Sequence, residues 1–312
     1  DGSARGALKL EKVDLEKWKF IGRSTSLSGV LELNRKSAND EIELGIELDG
    51  DSVEDMNFDR ISGKVMLADN RFQIIDSIYI AINGSNLRIA GTYRIPDKMI
   101  NVAGRVHSPN IAIFSPLTKI DSLAGRISGN FRVDGILSAP NISCQFKGPD
   151  LANSDVFVKN ARIDLFLKTI GKNTTGQVYI KGKRGLVVNF SPVLRQFESK
   201  LDFSGDTAFV QFLRAEGDEF SAELNGLIRG NTNFNINNIV LQVRDTQLYN
   251  KTPFHIIREQ DSIDVTPVEF IFGEDSFAFS GNFVKGEPRD LLLSLDNISL
   301  SPLHLLNDKI PP

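Results

Sequence analysis

The sequence predicts an all-β fold of mostly antiparallel strands, and three observations lead to this prediction. Apolar and polar residues alternate in many segments, as they do in a strand that buries one face. Short links rich in Gly, Pro and Asn separate these segments, whereas a parallel crossover needs a dozen or more residues. No segment shows a long helical pattern. Similar strands recur along the chain, which indicates an architecture built from repeats.

In chain order, the alternation predicts strands over residues 42–48, 78–82, 87–95, 127–135, 220–228 and 277–283. Glycine and proline supply the backbone angles that tight connections require. These residues predict turns at Asn83-Gly84, Ala139-Pro140-Asn141, Gly148-Pro149-Asp150 and Gly286-Glu287-Pro288.

A glycine at the centre of an apolar-x-Gly-x-apolar motif recurs in these strands. Because successive side chains point to opposite faces of a strand, such a glycine lies on the same face as its apolar neighbours. A single copy is typical of a bulge in an ordinary sandwich, but many copies favour a built-in repeat. We expect the following glycines on an apolar face: Gly29, Gly63, Gly91, Gly104, Gly129, Gly135, Gly226 and Gly281.

Two stretches of the chain carry the same series of motifs, which indicates an internal repeat. The first runs from Asp76-Ser77-Ile78 to Ser115-Pro116-Leu117, and the second from Asp261-Ser262-Ile263 to Ser301-Pro302-Leu303. The second copy stops before an equivalent of strand 129–135, so we expect the chain to be cut inside a larger array. We divide this continuous fragment into N-terminal strands 1–60, a first repeat unit 61–150, intervening strands 151–240 and a truncated second repeat unit 241–312.

The composition disfavours several classes of function. The net charge is −4 and the basic residues are scattered, so we expect no binding of nucleic acid. No apolar run approaches the roughly 18 residues of a membrane-spanning helix. The chain begins at Asp1 without a methionine, and we expect any N-terminal membrane anchor to be missing from it.

The sequence offers no sign of an enzyme. His107, His255 and His304 stand alone, without a partner at the spacing of a metal site. No carboxylate pair can be assigned as acid and base without a histidine partner or a cleft. We therefore predict no catalytic residue, no metal and no cofactor. The aromatic residues are 21 Phe against 4 Tyr and 1 Trp, a balance that suits either a β-core or an environment of acyl chains.

One segment resembles a recurrent element of the TamB and AsmA-like family: Gly129-Asn-Phe-Arg-Val-Asp-Gly135-Ile-Leu-Ser-Ala-Pro140-Asn-Ile, followed by Phe146 and Gly148. The order of Leu248-Tyr249-Asn250, Pro253-Phe254, Ile263, Phe277-Ala-Phe-Ser-Gly281 and the tail from Leu291 to Leu306 is also similar to repeats of this family. The resemblance covers most of residues 60–310, while residues 1–60 match less well.

This resemblance implies an elongated, curled, U-shaped β-sheet with a groove lined by apolar side chains. It also implies a protein that is anchored in the inner membrane, crosses the periplasm and bridges the inner and outer membranes. Family members are implicated in moving phospholipid to the outer membrane, and TamB works with a barrel-type partner in outer-membrane protein assembly. The sequence alone does not distinguish such an open groove from a closed sandwich, which would hide the same apolar face.

We therefore expect a non-enzymatic conduit that carries the acyl chains of phospholipids along the groove. The alternative is a periplasmic scaffold that binds a barrel-type outer-membrane assembly protein by strand addition at a sheet edge. The alternating apolar positions nearest the repeated glycines are the predicted groove lining: Ile80, Ile82, Leu87, Ile89, Tyr93, Val102, Phe131, Val133, Leu224, Phe270, Phe272, Phe277, Phe279 and Phe283.

Overall fold

The structure, a computed structural model, describes residues 3–13, 25–36, 41–53, 56–114, 122–170, 173–187, 190–230, 232–273, 275–285 and 287–296. The chain divides into two units, Asp1–Asn153 and Ser154–Pro312. We call them unit 1 and unit 2 and describe each by itself. The predicted ends of the two repeats, Ser115-Pro116-Leu117 and Ser301-Pro302-Leu303, lie outside the described residues.

Unit 1 consists of β-strands and one short 3-10 turn, Ile111–Phe114. Its strands are β1 (Ala4–Val13), β2 (Thr25–Lys36), β3 (Glu41–Val53), β4 (Met56–Ala68), β5 (Arg71–Ile74), β6 (Ile78–Ile82), β7 (Ser85–Arg94), β8 (Met99–Ser108), β9 (Ala124–Gly125), β10 (Ile127–Ile136) and β11 (Ala139–Ala152).

The strands of unit 1 form an antiparallel meander in which each strand pairs with its neighbours along the chain. Strands β5 and β6 together occupy one position, because both pair with β4 on one side and with β7 on the other. Likewise, β9 and β10 both pair with β11. The meander follows from the short connections, which bring consecutive strands side by side.

Unit 2 is also built of strands. They are β12 (Val156–Ile170), β13 (Asn173–Val187), β14 (Phe190–Ser204), β15 (Thr207–Glu216), β16 (Phe220–Arg229), β17 (Asn233–Val243), β18 (Thr246–Asn250), β19 (Phe254–Glu259), β20 (Ser262–Phe272), β21 (Asp275–Val284), β22 (Glu287–Pro288) and β23 (Leu292–Asp296).

Unit 2 has the same kind of antiparallel meander, from β12 to β23. Strands β18 and β19 share one position between β17 and β20. All pairings among the described strands of both units are antiparallel. The predicted all-β, antiparallel fold is confirmed, and each of the six strands predicted from alternation corresponds to an observed strand.

Two predicted turns are wrong in position. The turn before β11 lies at Leu137 and Ser138, and Pro140 already pairs with Gly135 inside the sheet. Residues 148–150 form no turn, because β11 runs through them. Pro149 is tolerated there because it lies at the junction where the partner of β11 changes from β10 to β9, so its missing N–H does not interrupt a continuous ladder.

In the turn predicted at 286–288, Gly286 lies outside the described residues, and Glu287 and Pro288 belong to a strand that pairs with β21. The predicted turn at Asn83-Gly84 is confirmed, with φ of 46° and 77° at the two residues. These positive angles are typical of the two-residue turns that join antiparallel strands.

Candidate functional site

The register of unit 1 places apolar side chains on one face of its sheet. Residues directly opposite each other in an antiparallel pair point to the same side, so the face can be followed from strand to strand. Ile80 faces Leu87, Leu87 faces Val106, and Val106 faces Gly129. We call this the apolar face of unit 1; its larger side chains are Leu8, Leu10, Leu31, Leu33, Ile42, Leu44, Ile46, Leu48, Ile61, Val65, Leu67, Phe72, Ile74, Ile78, Ile80, Ile82, Leu87, Ile89, Tyr93, Ile100, Val102, Val106, Ile127, Phe131, Val133, Ile142, Cys144 and Phe146.

The opposite face of unit 1 is polar and carries cross-strand ion pairs and hydrogen bonds. Lys64 Nζ lies 3.4 Å from Glu43 Oε1. Arg105 Nε donates to Asn130 Oδ1 at 3.2 Å. Exposed pairs of this kind contribute about 0–1 kcal/mol each, so they mark the solvated face more than they stabilise the fold.

The apolar face of unit 1 is open. Among the described residues of this unit, the fully buried hydrophobic side chains are Leu10, Leu48 and Ile111. Most others on the face are half-buried, and Leu8 and Leu33 remain 54% and 45% exposed. A folded domain of this size normally buries a contiguous core. In unit 1 the apolar side chains instead form a wide surface, on which each side chain is shielded from solvent mainly by the side chains beside it.

Unit 2 has an apolar face as well, formed in the same way by alternation and register. Leu241 faces Leu248, and Leu248 faces Phe272. The larger side chains on this face are Ile163, Leu165, Leu167, Val178, Ile180, Phe197, Leu201, Phe203, Val210, Phe220, Leu224, Ile228, Phe234, Ile236, Ile239, Leu241, Val243, Leu248, Phe254, Ile256, Val265, Val268, Phe270, Phe272, Phe277, Phe279, Phe283 and Leu293.

The apolar face of unit 2 is more densely packed than that of unit 1. Ile236, Phe254 and Val268 form a buried cluster. The Phe270 ring stacks on Phe277 with centroids 5.0 Å apart and meets Phe254 edge to face at 5.9 Å. Large rings that cover shorter neighbours explain why Val268 is only 2% exposed on a face that belongs to a single sheet.

The predicted groove residues fall into two sets, one on the apolar face of each unit. The eight from Ile80 to Val133 share the apolar face of unit 1 and are all half-buried. The six from Leu224 to Phe283 share the apolar face of unit 2. Leu224, Phe270 and Phe279 pack against the buried cluster, and Phe272 is itself buried. The residues of unit 1 are therefore the more accessible set.

The eight glycines of the repeated motif lie on these apolar faces, as predicted. Several glycines of both units lie beneath the ring of a directly paired phenylalanine. The ring of Phe131 occupies the space beside Gly104 where a side chain would stand, and a Cβ on Gly129 would lie 2.6 Å from Phe146 Cδ1. Rings that lie across glycines in this way keep the apolar surface low and smooth, which partly explains the excess of Phe over Tyr and Trp.

Sequence reasoning missed two features of the apolar face of unit 1. Val106, Ile127, Ile142 and Phe146 belong to it, and their alternation could have shown this. Ser85 and Ser108 also lie on this face at the ends of β7 and β8, where their hydroxyl groups share a hydrogen bond, and they are only 4% and 0% exposed. No sequence signal separates these serines from exposed ones, because their burial depends on the tertiary structure around them.

The chain's single cysteine lies on the same face. Cys144 pairs directly with Phe131, and partial burial raises the pKa of its thiol because the thiolate is poorly solvated there. On the polar side of unit 2, the phenol of Tyr179 donates to Glu198. This hydrogen bond to a carboxylate raises the pKa of Tyr179.

Within the described ranges, no group of three or more His, Cys, Asp and Glu side chains could hold a metal ion. The described part of the chain also has no helix that could span a membrane. His107 and His255 are exposed on strands β8 and β19, and His304 lies outside the described residues. The described strands of unit 1 thus place apolar side chains on one face of the sheet and charged ones on the other.

Comparison with protein-family models, with curated proteins and with solved structures found no match to this chain.

Proposed function

We propose that the chain belongs to a periplasmic, TamB-like lipid-transfer protein and that its apolar faces carry the acyl chains of phospholipids between the two membranes. The observation that supports this most directly is the apolar face of unit 1, which continues from β1 to β11 with few buried side chains. A contiguous apolar surface of this extent is typical of a site that contacts lipid or protein.

An acyl chain suits this face because it needs no hydrogen bonds. The side chains on the face are aliphatic or phenyl groups at nearly every position, and the backbone polar groups are paired within the sheet. Each methylene that leaves water contributes about 0.8 kcal/mol. Many similar neighbouring positions let a chain bind in several registers, so a lipid can move without meeting one deep minimum.

Photo-crosslinking tests the proposal by comparing neighbouring residues on opposite faces. A crosslinking side chain replaces Ile89 or Arg88 in unit 1, and Phe279 or Ala278 in unit 2; each pair differs by one residue and by face. After irradiation with vesicles of phosphatidylethanolamine and phosphatidylglycerol, mass spectrometry detects lipid adducts. We expect adducts at Ile89 and Phe279 and few at Arg88 and Ala278. Equal labelling of both faces would refute the assignment.

One observation favours the alternative, a scaffold that binds a barrel-type outer-membrane assembly protein. Among the described strands β1 pairs with β2 alone, and strand addition takes place at the edge strand of a sheet. Such a partner would bond to main-chain groups and would tolerate polar substitutions on the apolar face. The Phe131 variant discussed below separates the two functions.

A further inference from the structure

The end of the apolar face of unit 1 at β7 and β8 differs from the rest of that face. The directly paired Leu87 and Val106 are half-buried, whereas Ser85 and Ser108, two residues further along β7 and β8 towards their shared end, are nearly inaccessible to solvent. Two hydroxyl groups are thus the most deeply buried side chains in this apolar region. Buried hydroxyl groups require hydrogen-bond partners and a cover.

The chain itself provides both. Ser85 Oγ and Ser108 Oγ lie 2.7 Å apart, and Ser108 Oγ donates to the backbone oxygen of Asn110 at 2.9 Å. The chain therefore turns back over the Ser108 side chain as soon as it leaves β8. Asn110 Oδ1 then accepts from the Ala112 N–H at 3.0 Å, which fixes the start of the 3-10 turn.

Ile111 anchors this segment. It is 7% exposed, and its 3-10 turn contacts β9. The burial of this apolar side chain holds residues 109–112 in place, and a segment held by one such anchor can still open locally.

We propose that residues 109–112 form a cap that closes one end of the apolar face of unit 1 to acyl chains. This inference rests on the proposed function, and it deepens it by limiting where a lipid binds. Acyl chains contact the apolar face around Ile89 and Val102 and stop before Ser85 and Ser108, at the end of β7 and β8. Displacement of the cap makes the part of the face beneath it accessible to acyl chains.

Cysteine labelling tests the cap without any lipid. In a Cys144→Ser background, Ile89→Cys and Ser85→Cys each place one thiol on β7 and on the apolar face, the first at a half-buried position away from the cap and the second at a position only 4% exposed. We expect a small maleimide to react at position 85 at least about 5-fold more slowly than at position 89, since a covered site reacts only through local opening. Equal reaction rates at the two positions would refute the proposal that residues 109–112 cover this end of the face.

Adding Ile111→Asp, which expels the buried anchor, should raise the rate at position 85 towards that at position 89. If this variant fails to fold, Ser108→Ala replaces it, because it removes both hydrogen bonds and little volume. An unchanged rate at position 85 in a folded variant would also refute the proposed cap.

The lipid readout is separate. Crosslinkers at Ile89 and Ser85 are irradiated with the vesicles described above, and we expect lipid adducts at Ile89 and few at Ser85 until Ile111 is substituted. Adducts at neither position, together with the expected thiol rates, would refute the proposed function and leave the cap as a structural element. Equal adducts at both positions in the unsubstituted cap would refute the cap.

Discussion

At the residue scale, glycine determines how closely neighbouring strands approach each other on the apolar faces. Gly91 has φ of 150°, an angle that side-chain-bearing residues rarely adopt. A Cβ at this position would lie 2.7 Å from the Cα of Val102 in the paired strand. Position 91 therefore requires glycine for two reasons, the backbone angle and the close approach of the paired strand.

We expect Gly91→Ala to destabilise the fold by more than about 2 kcal/mol, since it adds backbone strain and a clash with backbone atoms that cannot move aside. Chemical denaturation of the whole chain measures the change. Gly45→Ala is the matched control, because a Cβ there would make only ordinary contacts with Glu32, at 3.4 Å from its Cβ and 3.8 Å from its backbone oxygen. This control should be neutral or stabilising by up to about 1 kcal/mol. Equal losses in both variants would contradict the explanation.

The face of each predicted residue could be derived from the sequence because side-chain alternation is a local property of a strand. The degree of burial could not. Phe272 and Ile89 look alike in their alternating segments, yet one is buried and the other half-buried. The difference depends on partners from other strands, because Phe272 pairs with Leu248, whereas Ile89 pairs with Gly104, which has no side chain.

At the element scale, each unit contains a place where two short strands together occupy one strand position of the sheet. In unit 2 this arrangement depends on Asn250, which is 6% exposed at the end of β18. Its Oδ1 accepts from the Ile239 N–H at 2.6 Å, and its Nδ2 donates to the backbone oxygens of Asn237 and Thr252 at 3.1 and 2.8 Å. One amide thus bonds the backbone where the partner of β17 changes from β18 to β19.

We expect Asn250→Asp to destabilise the fold by about 3 kcal/mol or more at pH 7, because the buried carboxylate oxygen that replaces Nδ2 would face the two carbonyl oxygens of Asn237 and Thr252 with no hydrogen to donate. This environment raises the pKa of the aspartate in the folded state. The deficit should therefore be smallest below the pKa of an unfolded aspartate and grow as the pH rises through the folded-state pKa. Denaturation curves measured from pH 3 to pH 8 test this.

Gln247→Glu makes the same chemical change at an exposed position of β18 and serves as the control. It should shift stability by less than about 0.5 kcal/mol. A loss at Asn250→Asp that does not depend on pH would argue against the role given to its amide donors.

The strands themselves were predictable at this scale, and the shared positions were not. The alternation around residues 78–82 predicts a strand, but only the register shows that β5 and β6 divide one position between them. Pro149 indicated a turn because proline usually ends a ladder. In the structure the ladder is already changing partners there, and this depends on β9, more than twenty residues away.

At the scale of the whole molecule, both units separate an apolar face from a polar one, and the two functions considered above differ in how they use these faces. We expect Phe131→Asp to abolish lipid transfer by the full-length protein, because desolvating its charge costs several kcal/mol at a point that every passing acyl chain must cross. Lipid transfer or outer-membrane integrity in cells is the measurement, with folding checked by the β-sheet signal.

Asn130→Asp changes the net charge by the same amount on the adjacent residue and on the opposite face, so it should transfer lipid normally. Its carboxylate can keep the hydrogen bond that Asn130 accepts from Arg105. Normal transfer by a folded Phe131→Asp protein would favour the scaffold, which binds through a sheet edge.

The open apolar face of unit 1 also has a calorimetric consequence. The heat capacity rises on unfolding because apolar surface becomes hydrated, and much of the apolar surface of this unit is already hydrated in the folded state when no ligand is bound. We expect a heat capacity change per residue below the 12–15 cal/mol/K that is typical of globular proteins. Scanning calorimetry of the ligand-free chain measures it, and saturation with lipid should raise the value. Most proteins bury such apolar surface once, during folding. In this protein part of it would be buried again and again, each time that a lipid binds.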